Sequence, residues 1–170
     1  SRFVPVAANG NMVVGPERLA SEAGLIMLEQ GGNAVDAAVA TGFALAVTLP
    51  RAGNIGGGGF LVYHGADGET TAFNFREKAP AAAFETMFLD EEGNLDETKH
   101  HRALTSTGVP GTVAGLALAH DRFGSLPWSD LLQPAVRLAE NGFPFTWNLK
   151  SVQERFRSMA EDNPIYQSTA

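Results

Sequence analysis

The stretch RAGNIGGGGFLVYHGADGETTAFNFR, residues 51–76, decides how the rest of the chain is read. Four consecutive glycines (56–59) run directly into the apolar segment Phe60-Leu61-Val62-Tyr63. A turn at Gly65-Ala66-Asp67-Gly68 follows, and then a second β-prone run over 70–75. Two such runs about a Gly-containing turn predict a β-hairpin over 60–64 and 70–75. The hairpin ends on Arg76, with Glu77 beside it. A guanidinium fork suits a carboxylate ligand. An Arg beside a Glu is more often a solvated surface pair, and spacing alone leaves both readings open.

The glycine run does not read as a phosphate loop. Phosphate cradles need a strand before the glycines and a helix after them, often opening on Lys-Ser/Thr. Here the order is helix, loop, glycines, strand, and no Lys follows. The plain interpretation is a closely packed approach to a strand, and the functional one is backbone held tight against a site.

Upstream, residues 3–8 alternate loosely and predict a short strand, with a second at Met12-Val13-Val14. Gly15-Pro16 is expected to open a helix, because Pro suits the first helical position. Leu19, Ala20, Ala23, Ile26 and Met27 follow helical spacing. Gly31-Gly32 should end it, one Gly taking the left-handed position. Asn33 can cap a second helix, with Asp36 at capping-box spacing, and Pro50 stops it after Leu49. That helix is apolar almost all round and rich in Ala, Val and Gly, so it belongs in the middle of a layered structure.

Downstream, residues 79–83 predict an extended connection and 90–94 an exposed acidic turn. Gly108-Val109-Pro110-Gly111 leads into a helix over 112–123, closed by Gly124. A further amphipathic helix starts at Ser129 or Asp130 and runs to Asn141. Leu131, Leu132, Ala135, Val136 and Leu138 form its buried face, and Gly142 caps it. Residues 150–159 are weakly helical in pattern.

Composition narrows the function classes. The chain has 170 residues, 44% hydrophobic and 18% charged, a globular balance and one domain's length. About 70% of the unfolded surface can be buried at this size. Net charge is −7 with no Lys/Arg run, which argues against a nucleic-acid surface. No cysteine is present, which excludes disulfides, thiolate metal sites and a cysteine nucleophile within the chain. The apolar segment over 34–49 is too short for a membrane span, which needs about 20 residues. No signal peptide is visible. The pair His100-His101 is adjacent, and neighbouring residues point in different directions, so no metal site is expected there. His64 and His120 are isolated, and no Gly-x-Ser-x-Gly elbow is present. No cofactor motif appears.

At this point several segments act together. LASEAGLIMLEQGGNAVDAAVATGFALAVTLP, AGNIGGGGF, FNFREKAPAAA and LTSTGVPGTVAGLALAHDRFG occur in that order. With this spacing they resemble the heavy subunit of γ-glutamyltranspeptidases over about residues 12–147. The resemblance implies an α+β fold, part of a four-layer αββα N-terminal-nucleophile hydrolase sandwich. It makes residues 1–170 an N-terminal segment of the large subunit, incomplete by itself. It implies a precursor that cuts itself, and a light subunit, outside this chain, whose N-terminal Thr attacks γ-glutamyl amides such as glutathione. The acyl group then passes to water or to an amine. Thr169 is not a chain start, so no catalytic residue is expected here. Arg76, in the family's FRE motif, is implied to bind the substrate α-carboxylate. A periplasmic or extracellular location is implied in the same way. A relative acting on a β-lactam side chain or a poly-γ-glutamate capsule, or a module that has lost the chemistry, is the alternative.

Overall fold

The structure, a computed structural model, describes residues 7–101, 103–144, 149–150, 152–154 and 157. Among them the elements run α1 (Arg18–Glu29), α2 (Ala34–Thr48), β1 (Phe60–His64), β2 (Thr70–Asn74), α3 (Glu97–His101), a 3-10 turn (Leu104–Ser106), α4 (Thr112–Phe123) and α5 (Trp128–Asn141). The architecture is α+β, as expected. No described helix is long and apolar enough to cross a membrane.

The start of α1 differs from expectation. Glu17, not Pro16, governs it: the Glu17 carboxylate accepts from the Ala20 N–H at 2.9 Å, so Glu17 is the N-cap and Pro16 stands outside the helix. At the other end Gly31 has φ +88°. The Gly32 N–H donates to the Met27 carbonyl at 2.9 Å and the Gly31 N–H to Leu28 at 3.2 Å. This double closure is the Schellman arrangement, and it needs a residue at ease with positive φ. The chain then turns at once into α2. The Asn33 side chain accepts from Val35 and Asp36 N–H, and the Asp36 carboxylate accepts from the Asn33 N–H. The capping box expected from sequence is thus complete.

Helix α2 occupies the centre, packing against α1, α4 and α5. Val39, Ala40 and Ala44 are fully buried on it. Ala20 and Ala23 of α1 and Ala135 of α5 meet Ala44, so the helices approach on small side chains. The larger core gathers Met27, Val35, Val39, Phe73, Leu116 and Leu131. Each such side chain contributes about 1.5–3 kcal/mol by leaving water. Helix α5 starts at Trp128, slightly earlier than expected. Leu131, Pro134 and Ala135 form its buried face, while Val136, expected inside, is 38% exposed.

The hairpin pairs antiparallel with Leu61 opposite Phe73 and Tyr63 opposite Thr71. These residues form its covered face: Phe73 is in the core and Tyr63 stacks on Phe123 of α4 at 4.1 Å. The opposite face carries Phe60 and Val62, which are 64% and 74% exposed.

The remaining sequence expectations fare unevenly. Residues 3–6 of the first expected strand lie outside the described residues; Ala7 and Ala8 carry no strand, and neither does Met12-Val13-Val14. Val14 is 85% exposed, so this segment lacks the burial that alternation suggested. The acidic turn is as expected, closed by Leu89 pairing with Leu95. Helix α3 was not foreseen; its start is held by Asp96, whose carboxylate accepts from Thr98 and Lys99 N–H. Of the tail expected to be helical, the described residues 150, 152–154 and 157 are helical and the rest lie outside them.

Candidate functional site

Arg76 sits where three separated segments interlock. Past β2 the ladder continues by one pair, Gly59 N–H to Phe75 O at 3.3 Å and Phe75 N–H to Gly59 O at 3.0 Å. One step earlier the Gly57 carbonyl accepts from Gly111 and Thr112 N–H at 2.8 and 3.0 Å. Lys78 and Val109 exchange a further pair of backbone bonds. The glycine run is therefore wedged between the end of β2 and the start of α4. A side chain there has no room: a Cβ on Gly58 would lie 2.5 Å from Phe75 O and 2.7 Å from Glu77 N. On α4, a Cβ at Gly111 would collide with Phe75 O and one at Gly115 with the Phe75 ring. Gly111 and Gly115 are four apart, so they open a notch on one helix face that seats Phe75.

This packing fixes the backbone on either side of Arg76 and leaves its side chain free. The Arg76 side chain is 64% exposed and its Nε donates to Glu77 Oε2 at 3.2 Å. The Arg76 N–H donates to Asn74 Oδ1 at 3.1 Å. Among the described residues neither terminal amino group of Arg76 has a partner. The Glu77 carboxyl is held below its ordinary range, by its own backbone N–H foremost, and by the Arg76 charge and the Gly58 N–H against an opposing desolvation. Glu77 thus stays ionised at neutral pH and braces the inner edge of the guanidinium. The outer edge presents two parallel N–H donors and a positive charge, the geometry that receives a carboxylate in bidentate fashion.

The glycine run has the order that excludes a phosphate loop, and the first N–H groups of α4 are taken by the Gly57 carbonyl. The exposed Arg76–Glu77 pair is the one that adjacency suggested, whereas the Asn74 contact and the Phe75 notch were not foreseen. The i,i+4 glycines of GVPGTVAG were the available signal for the Phe75 notch.

A second polar node lies away from Arg76. Asp36 is fully buried. Besides Asn33 N–H it accepts from the Ser125 hydroxyl at 2.6 Å, the Ser125 N–H at 3.0 Å and the Leu126 N–H at 3.3 Å. Burial pushes its carboxyl up, and these hydrogen bonds, the Ser125 hydroxyl first, outweigh burial and hold it below the usual range. Asn33 Nδ2 donates to Phe123 O at 2.7 Å. The α2 capping box is therefore also the clamp on the α4–α5 turn, a role its local pattern did not announce.

The histidines separate into two kinds. His64 Nδ1 meets Thr70 Oγ1 at 2.8 Å, and His120 Nε2 meets Leu126 O at 2.8 Å. His100 and His101, expected to diverge, converge instead: His100 Nδ1 lies 3.1 Å from His101 Nε2.

Comparison with known proteins bears on the whole described body. The family model described as Gamma-glutamyltranspeptidase matches residues 20–169. The glutathione hydrolase proenzyme of Escherichia coli (strain K12) is 51% identical over 141 residues, 83% of this chain and 24% of that protein. The crystal structure of Helicobacter pylori gamma-glutamyltranspeptidase superposes with TM-score 0.91 at 43% identity, over 96% of this chain and 47% of that one. Gamma-glutamyltranspeptidase from Pseudomonas nitroreducens, complexed with L-DON, gives 0.82 at 43% identity, over 96% of this chain and 47% of that one. The chain spans about a quarter of the length of the curated relatives it matches. With a family model covering residues 20–169 and the same fold at high identity, the chain belongs to the gamma-glutamyltranspeptidase family.

Proposed function

We propose that this chain is the substrate-anchoring part of a γ-glutamyltransferase/hydrolase, and that Arg76 binds the α-carboxylate of the γ-glutamyl group. The observation that carries this reading is the state of the guanidinium. Its Nε is braced by Glu77, its backbone is pinned by the Phe75 notch, and its two terminal amino groups point to no described partner. An arginine held on one edge and open on the other loses little freedom on binding, which favours affinity.

In this reading a second subunit, outside this chain, supplies an N-terminal Thr. Its hydroxyl oxygen attacks the γ-carbonyl carbon, its own α-amine takes the proton, and the amide C–N bond breaks to release the amine. Water or an amine then attacks the ester and frees the Thr. Glutathione is the substrate suggested by the name of the E. coli relative. Arg76 does not act on the reacting bond. It fixes the other end of the γ-glutamyl group, so that the carbonyl meets the nucleophile in one orientation. A periplasmic or extracellular site of action goes with the same proposal.

The test is kinetic, in the full-length processed protein with a γ-glutamyl anilide. Losing one partner of a desolvated carboxylate–guanidinium pair costs about 2–5 kcal/mol, so Arg76→Ala should lower kcat/KM roughly 30- to 5,000-fold. Arg76→Lys should recover only part of this, since an ammonium cannot reproduce a fork. Unchanged kcat/KM in both variants would sink the assignment.

A further inference from the structure

We propose that Glu97, His100 and His101 form a surface site for a divalent transition-metal ion of the zinc, nickel or copper(II) class. The three residues share one turn of α3: Glu97 stands four residues before His101 and three before His100. Helical spacing turns both imidazoles toward the same carboxylate, even though the histidines are sequence neighbours. Their ligand atoms all lie within 4.8 Å of one another. His101 Nε2 is 3.1 Å from Glu97 Oε2 and 3.1 Å from His100 Nδ1. Metal–ligand bonds of about 2.0–2.1 Å place two ligand atoms of a tetrahedron about 3.3 Å apart, so the two pairs that include His101 Nε2 already stand near that spacing.

Proton bookkeeping points the same way. A neutral His101 has at most one hydrogen on Nε2. If it is donated to Glu97, it cannot also serve the His100 nitrogen. If Nε2 instead accepts from His100, no hydrogen stands between Nε2 and the Glu97 oxygen 3.1 Å away. A cation among the three atoms satisfies every lone pair at once. Imidazole nitrogen with one carboxylate is a donor set for zinc, nickel and copper(II) rather than for magnesium or calcium.

The surroundings support the turn and move the nearest positive charge aside. Asp96 caps α3 through Thr98 and Lys99 N–H. His100 rests edge-on against Phe88 at 5.4 Å. Lys99, whose ammonium would repel a cation, donates to the Leu89 carbonyl at 2.8 Å and lies 3.8 Å from Asp96. Glu97 and His101 are both exposed, which leaves coordination positions for water. The site is independent of the Arg76 assignment.

The experiment is zinc titration of the tag-free, full-length protein, by calorimetry and by competition with a chromogenic chelator. Wild type should bind one zinc equivalent that the His100→Gln/His101→Gln double variant lacks. His101→Gln and Glu97→Gln singly should each weaken binding at least about 10-fold, since even outer partners of metal ligands cost 10–100-fold. His64→Gln should bind as wild type does. Copper(II) loaded in place of zinc should give an electron paramagnetic resonance spectrum with two-nitrogen coupling, absent in the double variant. Retention of the equivalent in the double variant, its loss in His64→Gln, or no binding by wild type at 100-micromolar zinc, about that order, would overturn the proposal.

Discussion

Asp36→Asn tests the polar clamp that joins α2 to the α4–α5 turn. The carboxylate accepts four hydrogen bonds, from Asn33 N–H, Ser125 N–H, the Ser125 hydroxyl and Leu126 N–H. An amide of the same shape keeps one acceptor oxygen and turns a donor toward the others. The Ser125 hydroxyl can rotate to accept, but at least one backbone N–H is left facing an N–H₂ group. Each buried group left unpaired costs about 1–3 kcal/mol, and more where a charge was the partner. The expected loss is therefore about 2–5 kcal/mol, summed over one or two orphaned donors. Urea unfolding of the full-length protein at pH 7 measures it. Ser125→Ala, alone and combined with Asp36→Asn, closes a cycle in which the double loss should fall short of the sum, because both substitutions remove one bond. The pH dependence carries a sign. The folded carboxyl lies below its unfolded value of about 3.9, so its stabilisation is present above that value and lost as pH falls through the folded one. Asp36→Asn should flatten this part of the acid limb. A loss under about 1 kcal/mol, with an unchanged acid limb, would refute the clamp.

Other substitutions probe the remaining contacts. Gly115→Ala drives a methyl into the Phe75 ring; overpacking costs about 1–3 kcal/mol, and kcat/KM on a γ-glutamyl anilide should fall with it as Arg76 shifts. Glu77→Gln strips the charge from the brace on Nε, leaving at best a neutral amide acceptor, and leaves the fork charged, so KM should rise less than in Arg76→Ala, with kcat nearly kept. Leu131→Ala empties a fully buried position between α5 and α2; denaturant unfolding should register a loss of about 2–5 kcal/mol with no specific change in KM.

What could be read from the chain beforehand depended on how local the cause was. The cap of α2 needed only Asn33 and Asp36 at the right spacing, and the stop of α1 only Gly31, so both were legible. So was the hairpin, since Gly65 to Gly68 fixes its turn, but not its covered face, because Phe60 to Tyr63 is apolar on both sides. Pro16 misled because its fit to a helix start is a general preference, whereas the Glu17 carboxylate reaches forward to the Ala20 N–H in this particular turn. Met12-Val13-Val14 misled because β-propensity is a tendency to fit a pleated, half-buried surface, and Val14 is exposed. The non-local contacts left no local mark. Nothing near Asp36 announces Ser125, 89 residues away. Arg76 itself was ambiguous by pattern, and the resemblance to a family singled it out. The convergence of His100 and His101 was equally silent, because it follows from α3, which also brings Glu97, one turn earlier, to 3.1 Å from His101 Nε2.

Arg76 is positioned by contacts that begin far from it. Helix α4 is held at its C-terminal end by Asn33 Nδ2 on Phe123 O, and just beyond by Asp36 on Ser125. Its N-terminal end receives the Gly57 carbonyl, and its Gly111–Gly115 notch seats Phe75. Arg76 follows Phe75 directly. A displacement of α4 relative to α2 therefore moves the notch, and with it the base of the guanidinium. The small residues of α2 matter for the same reason, because they set how close α1 and α5 come to the helix that carries the clamp. The placement of the Arg76 backbone thus rests on buried backbone and alanine contacts and not on its one visible ion pair. The exposed side chain, touched only at Nε by Glu77 among the described residues, thus turns toward a ligand from a fixed base.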